Sequence, residues 1–335
     1  MTTTVSTGPA ERTAPRRPAG RWRTRLGSVE VLAAVVLVAI LLRGVLVDGF
    51  SSPQASTFVT VFVSVAVAGL PFLVLGVAAT AAVAAFVPRR HLDRLLELSP
   101  GAAVPAAAAV GVIAPTGDDA PAVAAGLARR APAAALAFLL TSPALSPVVL
   151  VATAVAFPGH PMMVLARLLA GLVLAVGMGY LWLRWGRPAW LAPAGAPVAA
   201  STGGWDAFWR MCRRQTVRAG GFLVLGALAS AVLTAWLPIA WLDAVADSGL
   251  FAVIAMALLA VLLSVRADAD AFVAAAVSVF PPTAALAFLV VGPTANLRLF
   301  TRQLTTFGPW FAIRFAPATF VAGVLVALGV GAVLL

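Results

Sequence analysis

Carboxylate side chains are concentrated in two short polar breaks within otherwise apolar sequence. The first break, residues 115–121, reads PTGDDAP and contains Thr116, Asp118 and Asp119. The second break, residues 264–270, reads SVRADAD and contains Arg266, Asp268 and Asp270. Closely spaced carboxylates can bind a cation or share a proton, because two adjacent negative charges repel each other. The breaks are therefore the predicted binding site for a small solute or ion.

The charge balance of these breaks limits what they can bind. Four aspartates face one arginine, and each charge near the centre of a bilayer costs at least ~2.5–3.5 kcal/mol. A proton, a bound cation or water must compensate the excess negative charge, which favours a proton relay. Alternatively, Arg266 only neutralises one aspartate and the others lie at a wet surface. We expect Asp118 or Asp119 to pair with Arg266, because Asp268 and Asp270 share its own short segment.

Neutral polar residues form a second pair of motifs downstream of each break. Residues 141–147 read TSPALSP, and residues 291–297 read VGPTANL. Proline and glycine interrupt each helix and free backbone carbonyls, while Ser142, Ser146 and Asn296 supply neutral ligands. Serine hydroxyls in helices also bond to their own backbone, and that alternative stays open. These three residues complete the predicted site.

The elements that position these residues must cross a membrane. The chain of 335 residues is 62% hydrophobic and 10% charged, whereas soluble domains are roughly half apolar and a quarter charged. A spanning helix needs about 20 apolar residues. Uncharged stretches of that length occupy residues 49–88, 131–166, 219–242, 271–297 and 315–335. We therefore predict an all-α integral protein of the cell membrane, with the lipid bilayer as a partner.

The arginines set the predicted topology. The net charge is +11, but the basic residues flank apolar segments, which favours membrane orientation rather than nucleic-acid binding. Placing the arginine-rich N-terminus in the cytoplasm leaves the turns at residues 158–161 and 238–248 outside, without arginine. Arg129 and Arg130 stay inside only if residues 102–128 form a re-entrant hairpin. A full crossing at that break is the alternative.

The chain also repeats itself at a spacing of 150 residues. Residues 72–76 and 222–226 both read FLVLG, and residues 134–139 and 284–289 both read AALAFL. With the hairpin, the two copies have opposite orientations. Inverted repeats whose broken helices meet near the midplane are typical of secondary transporters. The predicted division is a disordered tail 1–28, a first half 29–185 (repeat 57–150), a linker 186–204 and a second half 205–335 (repeat 207–300).

Other function classes find less support in the sequence. A single cysteine, Cys212, excludes a multi-cysteine metal site, no phosphate-binding loop is present, and no cofactor is predicted. Paired aspartates could serve an intramembrane aspartyl hydrolase, but its Gly-x-Gly-Asp and Tyr-Asp contexts are missing. We predict a permease, not an enzyme, that moves a small molecule or ion, with proton-coupled efflux favoured. A membrane subunit of a larger complex is the alternative, and the oligomeric state stays open.

Several motifs resemble a known family. Residues 121–130 (PAVAAGLARR), 142–150 (SPALSPVVL) and 268–275 (DADAFVAA), with Gly292-Pro293, are similar to the predicted-permease family that includes bacterial organoarsenical efflux permeases. The resemblance covers roughly residues 57–310. It implies that this chain has the fold of that family and a permease function. The family's cysteines are replaced here around Thr116–Asp119 and at Arg266, and Asn296 stands where the family has aspartate. The resemblance therefore implies no thiol-dependent substrate.

Overall fold

A computed structural model describes most of the chain from residue 53 onward. The described residues are 53–86, 98–113, 120–187, 190, 204–236, 248–264, 267, 269–277 and 280–335. Every regular element among them is a helix, in agreement with the predicted all-α class. The predicted tail, most of the linker, and the site residues Thr116, Asp118, Asp119, Arg266 and Asp268 lie outside the described residues.

The described residues of the first half form six helices. They are α1 (Pro53–Phe86), α2 (Pro100–Ile113), α3 (Ala120–Ala128), α4 (Pro132–Ala144), α5 (Pro147–Ala156) and α6 (Pro161–Trp185). Proline begins five of them, because its fixed φ suits the first helical turn and its missing N–H has no partner there in any case. The axes of α4 and α5 differ by 41° at the break around Ser146.

The described residues of the second half also form six helices, with a similar sequence of lengths. They are α7 (Trp205–Trp236), α8 (Leu250–Leu263), α9 (Asp270–Ala276), α10 (Pro282–Ala295), α11 (Leu297–Phe307) and α12 (Pro309–Leu334). The starts of α8, α9, α10 and α11 each lie 150 residues after those of α2, α3, α4 and α5. The repeat in the sequence is thus also a repeat of helix positions.

The described part contains enough apolar helix for several membrane crossings. Four helical segments are long and apolar enough to span, and the bent pair α4–α5 supplies a fifth. Large apolar side chains such as Val74, Leu75 and Leu325 are exposed. In a bilayer these surfaces contact lipid, so their exposure carries no penalty. The chain is a multi-pass membrane protein.

Contacts between α2, α4 and α6 fix the relative directions of the helices around the first polar break. Gly111 near the end of α2 has no room for a side chain, because Thr141 near the end of α4 occupies the space. At the other end, Gly179 of α6 lies against both Val104 and the Ala133 carbonyl. Helices α2 and α4 therefore run in the same direction. The chain leaves the Gly179 end of α6 along α2, and it is back at the same end where α4 begins.

The second half repeats this arrangement. Gly292 near the end of α10 faces Ala260 near the end of α8. The Leu297 N–H donates to Ser264 Oγ at 3.1 Å, which also joins the ends of these two helices. Helices α8 and α10 are therefore parallel. Thr283, at the start of α10, packs against Gly331 near the end of α12.

Helices α6 and α12 pack against each other in opposite directions. The Trp182 and Phe311 rings lie 6.0 Å apart at one end of the pair. Farther along, Leu174 of α6 lies against Gly323 of α12. The Trp182 end is also where α2 begins, whereas α8 begins beside the Gly331 end of α12. The chain thus enters its two polar breaks from opposite ends of the bundle.

Candidate functional site

A buried ion pair links the two halves of the molecule. The guanidinium of Arg167, on α6, donates through Nη1 to Asp270 Oδ1 at 2.9 Å and through Nη2 to Asp270 Oδ2 at 2.8 Å. Both side chains are 1% exposed. Two parallel N–H···O bonds of this kind fix direction as well as distance, and charge makes them strong. Asp270 accepts both bonds, so the pair needs its ionised form.

Neighbouring polar groups hold the guanidinium in place. Arg167 Nη1 also donates to Thr153 Oγ1 of α5 at 2.9 Å, and Nη2 lies 3.4 Å from the Ala267 carbonyl. Thr153 in turn donates to the Val149 carbonyl at 2.9 Å. No residue in the described part of the chain accepts the Nε–H of Arg167. One side chain therefore joins α5 and α6 of the first half to the segment that precedes α9 in the second.

The depth of the pair follows from helix geometry. Arg167 lies six residues after Pro161, where α6 begins, and 18 residues before Trp185, where it ends. At 1.5 Å per residue these separations are about 9 Å and about 27 Å along the axis. The hydrocarbon core is about 30 Å thick. The pair thus lies at a depth where an isolated charge would be strongly disfavoured, closer to the end at Pro161.

Helix α9 is fixed by a further contact on its other side. Ser230 of α7 donates through Oγ to the Phe272 carbonyl at 2.7 Å. Gly226, one turn earlier on α7, lies against the Phe272 side chain and allows this close approach. The short helix that carries Asp270 is thus held between α7 and the Arg167 side chain. A displacement of α9 would have to break both contacts.

The remaining described site residues lie at or near the junctions α4–α5 and α10–α11. Asn296 caps α11: its Oδ1 accepts the Leu299 N–H at 2.7 Å, and its Nδ2 donates to the Gly292 carbonyl at 2.6 Å. Ser142 is buried within α4, and Ser146 precedes α5 without a side-chain capping bond. Asn296 therefore stabilises the break itself.

Arg167 corrects the charge balance drawn from the sequence. The sequence analysis counted four aspartates against Arg266 alone. It did not count Arg167, which lies inside the apolar run 162–183. The structure gives Asp270 a cation of its own, so this carboxylate needs no proton or bound cation to offset its charge. The signal was present in the sequence: a single arginine inside a predicted span is costly and marks a functional position.

Comparison with known proteins agrees with these observations. Residues 54–332 match the model of a family described as "Predicted permease". The chain belongs to this permease family. The match extends over both halves, from α1 to α12, and confirms the resemblance found in the sequence motifs.

Two curated relatives cover most of the chain. A Streptococcus mutans protein described as a subunit of a two-component membrane permease complex is 23% identical over 286 residues, which are 81% of this permease and 94% of the relative. The UPF0718 protein YcgR of Bacillus subtilis is 25% identical over 261 residues, 74% of this permease and 88% of the relative. No solved structure matches the chain.

Proposed function

We propose that this permease is a secondary transporter that moves a small solute or ion between its two halves, with Arg167–Asp270 as the contact that holds one transport state. The carrying observation is the buried, bidentate pair between α6 of the first half and α9 of the second. A pair of opposite charges at this depth is stable only while both partners stay together. Relative motion of the halves must therefore break and remake it.

The proposed architecture is an inverted repeat. Helices α6 and α12 occupy corresponding places in the two halves and run antiparallel, which supports a two-fold axis perpendicular to them and hence in the membrane plane. Re-entrant segments that begin at opposite ends of the bundle, α2 and α8, support the same relation. Transporters of this design alternate access by rocking one repeat against the other around a site near the midplane.

For the coupling ion we propose a proton, carried by the aspartates outside the ion pair. Asp118, Asp119 and Asp268 are the proposed carriers, with Thr116 and Arg266 beside them, and efflux is the proposed direction. Asp270 has a different proposed role, because its carboxylate is already paired with the Arg167 guanidinium. Proton binding at the other aspartates would change the net charge of the breaks without disturbing this pair.

The test combines a screen with a reconstituted assay. A deletion strain is screened for uptake and resistance across metalloids, metal cations and small organic ions, and the responding solute is then assayed in vesicles. We expect Arg167→Gln and Asp270→Asn to reduce transport by about tenfold or more, since each leaves a buried group unpaired. Arg184→Gln, an exposed arginine on the same helix, is the matched control. Full transport in both pair variants would refute the proposed role of the pair.

A second candidate function is that of a membrane subunit in a larger complex. The observation in its favour is the description of the Streptococcus mutans relative as a subunit of a two-component complex. Purification of the full chain from its native membrane would test it. Reconstituted transport by the chain alone supports the stand-alone permease, whereas transport that requires a co-purified membrane protein supports the complex. A hydrolase that uses Asp270 as an acid or base is disfavoured by its pairing with Arg167.

A further inference from the structure

The side-chain oxygen of a buried amide on α11 has no donor among the described residues. Gln303 is 1% exposed, and no described residue donates a hydrogen bond to its Oε1. Buried polar atoms in folded proteins are nearly always paired, and an unpaired one indicates a missing water, ion or ligand. The neighbouring polar residues Arg298, Thr301 and Thr305 are exposed on the opposite face of the same helix. Gln303 therefore does not follow the polar face of α11 and points into the bundle.

The repeat shows which position Gln303 corresponds to. Thr153 on α5 and Gln303 on α11 are 150 residues apart, the spacing of the two helices themselves. Helix α5 contacts α9, and its counterpart α11 contacts α3, the helix that follows the first polar break. At Thr153 the acceptor oxygen is occupied by the Nη1–H of Arg167. Gln303 is thus the corresponding acceptor beside the other break.

The arginine that donates to Thr153 has no counterpart that could donate to Gln303. Aligning the starts of α6 and α12 matches Arg167 with Phe315, and the 150-residue spacing matches it with Pro317; neither residue carries a side-chain donor. The nearest arginine along α12, Arg314, is exposed and its guanidinium lies 4.7 Å from the Trp190 ring. No described residue of α12 therefore supplies the N–H that Gln303 Oε1 lacks.

We propose that Gln303 binds the transported solute through its side-chain oxygen, and that the solute presents an N–H or O–H donor to it. This inference rests on the proposed transport function and names the chemistry of its substrate. The solute donor takes the place that the Arg167 guanidinium holds in the other half. The carboxamide is uncharged, so a neutral hydroxyl compound and a small cation with N–H groups both satisfy it.

Thermal stability of the purified full chain in detergent gives the test. The probes are methylguanidinium and glycerol, which carry donors, and tetramethylammonium, a cation without one. We expect the two donor probes to raise the Tm of the wild-type chain and tetramethylammonium to leave it unchanged. In Gln303→Met the half-saturating probe concentration should rise about tenfold or more, which corresponds to the loss of about one good hydrogen bond. Gln54→Met, at the exposed start of α1, is the matched control.

The variant also separates a ligand from a structural role. If Oε1 is unpaired without solute, Gln303→Met should leave the probe-free Tm unchanged or raise it, because methionine removes a buried polar atom at similar volume. A lower probe-free Tm would overturn the inference, as would equal probe responses in wild type and Gln303→Met. No response of the wild type to either donor probe would overturn it too. None of these outcomes bears on transport, which the vesicle assay tests separately.

Discussion

At the scale of single residues, the Arg167 guanidinium is the most constrained group in the described structure. Its two terminal nitrogens serve Asp270, Thr153 and the Ala267 carbonyl together. Burial makes the ion pair costly to form but also costly to break, because either partner alone would remain as an uncompensated charge. The pair therefore contributes less to net stability than to the choice of one arrangement of α6 and α9.

Double substitution should reveal this coupling. We expect Arg167→Met and Asp270→Leu each to lower the free energy of unfolding by about 3–5 kcal/mol, and the double variant to lose much less than the sum. Thermal unfolding of the four proteins in detergent measures the coupling. Arg184→Met, on the exposed face of α6, should have little effect. Additive losses in the double variant would contradict a coupled pair.

The only cysteine provides a pH-dependent readout near the start of α7. Burial raises the pKa of the Cys212 thiol. A raised pKa lowers the thiolate fraction at neutral pH, and the thiolate is the reactive form. We expect maleimide to react with Cys212 more slowly at pH about 7.5 than with a free cysteine peptide, whose pKa is about 8.5. The Cys212 rate should keep rising at a pH where the peptide rate has levelled off; matching profiles would contradict this.

At the scale of elements, the 150-residue spacing predicted much of what the structure contains. The paired motifs AALAFL lie at corresponding places of α4 and α10, and the two breaks separate α2 from α3 and α8 from α9. Seven of the twelve described helices begin at a proline, whose effect on the backbone is local. The role of Arg167 could not be predicted from local sequence, because its partner Asp270 lies 103 residues away. Local pattern fixes helices, while a long-range ion pair depends on how they pack.

Close packing of α2 against α4 gives an element-scale prediction. A methyl group at Gly111 would collide with the Thr141 side chain and the Phe138 carbonyl. We expect Gly111→Ala to lower stability by about 1–3 kcal/mol, as overpacking does. Gly177→Ala on α6 is the matched control, since nothing lies within 4 Å of its added methyl, and it should be neutral or stabilising. Thermal unfolding in detergent compares the two variants; equal effects would argue against tight α2–α4 packing.

At the scale of the whole molecule, two sets of corresponding helices surround the proposed site. The parallel pairs α2–α4 and α8–α10 begin at opposite ends of the bundle, and α6 packs antiparallel to α12. The Arg167–Asp270 pair and the packing of α6 on α12 join the two sets.

Sidedness in the membrane is the prediction that belongs to this scale. Reporter fusions after Arg130 and after Arg218 should both report the cytoplasm, and a fusion near Gly159 should report the exterior. The physical reason is the retention of arginine-rich loops on the cytoplasmic side. An exterior signal after Arg130 would mean that the first break is a full crossing. The two halves would then have parallel orientations.

The ion pair between the halves has no symmetry-related counterpart: the position that corresponds to Asp270 is Ala120, and Pro317, 150 residues after Arg167, carries no charge. In a duplicated transporter whose halves were identical, the inward-facing and outward-facing forms would be related by a two-fold rotation and would have equal energy. A single ion pair removes that degeneracy, since it can be closed in one form and open in the other. Without solute, the protein should therefore prefer the form that is open to one side of the membrane and return to that form after each cycle. A local difference between two once-equivalent halves would set this preference.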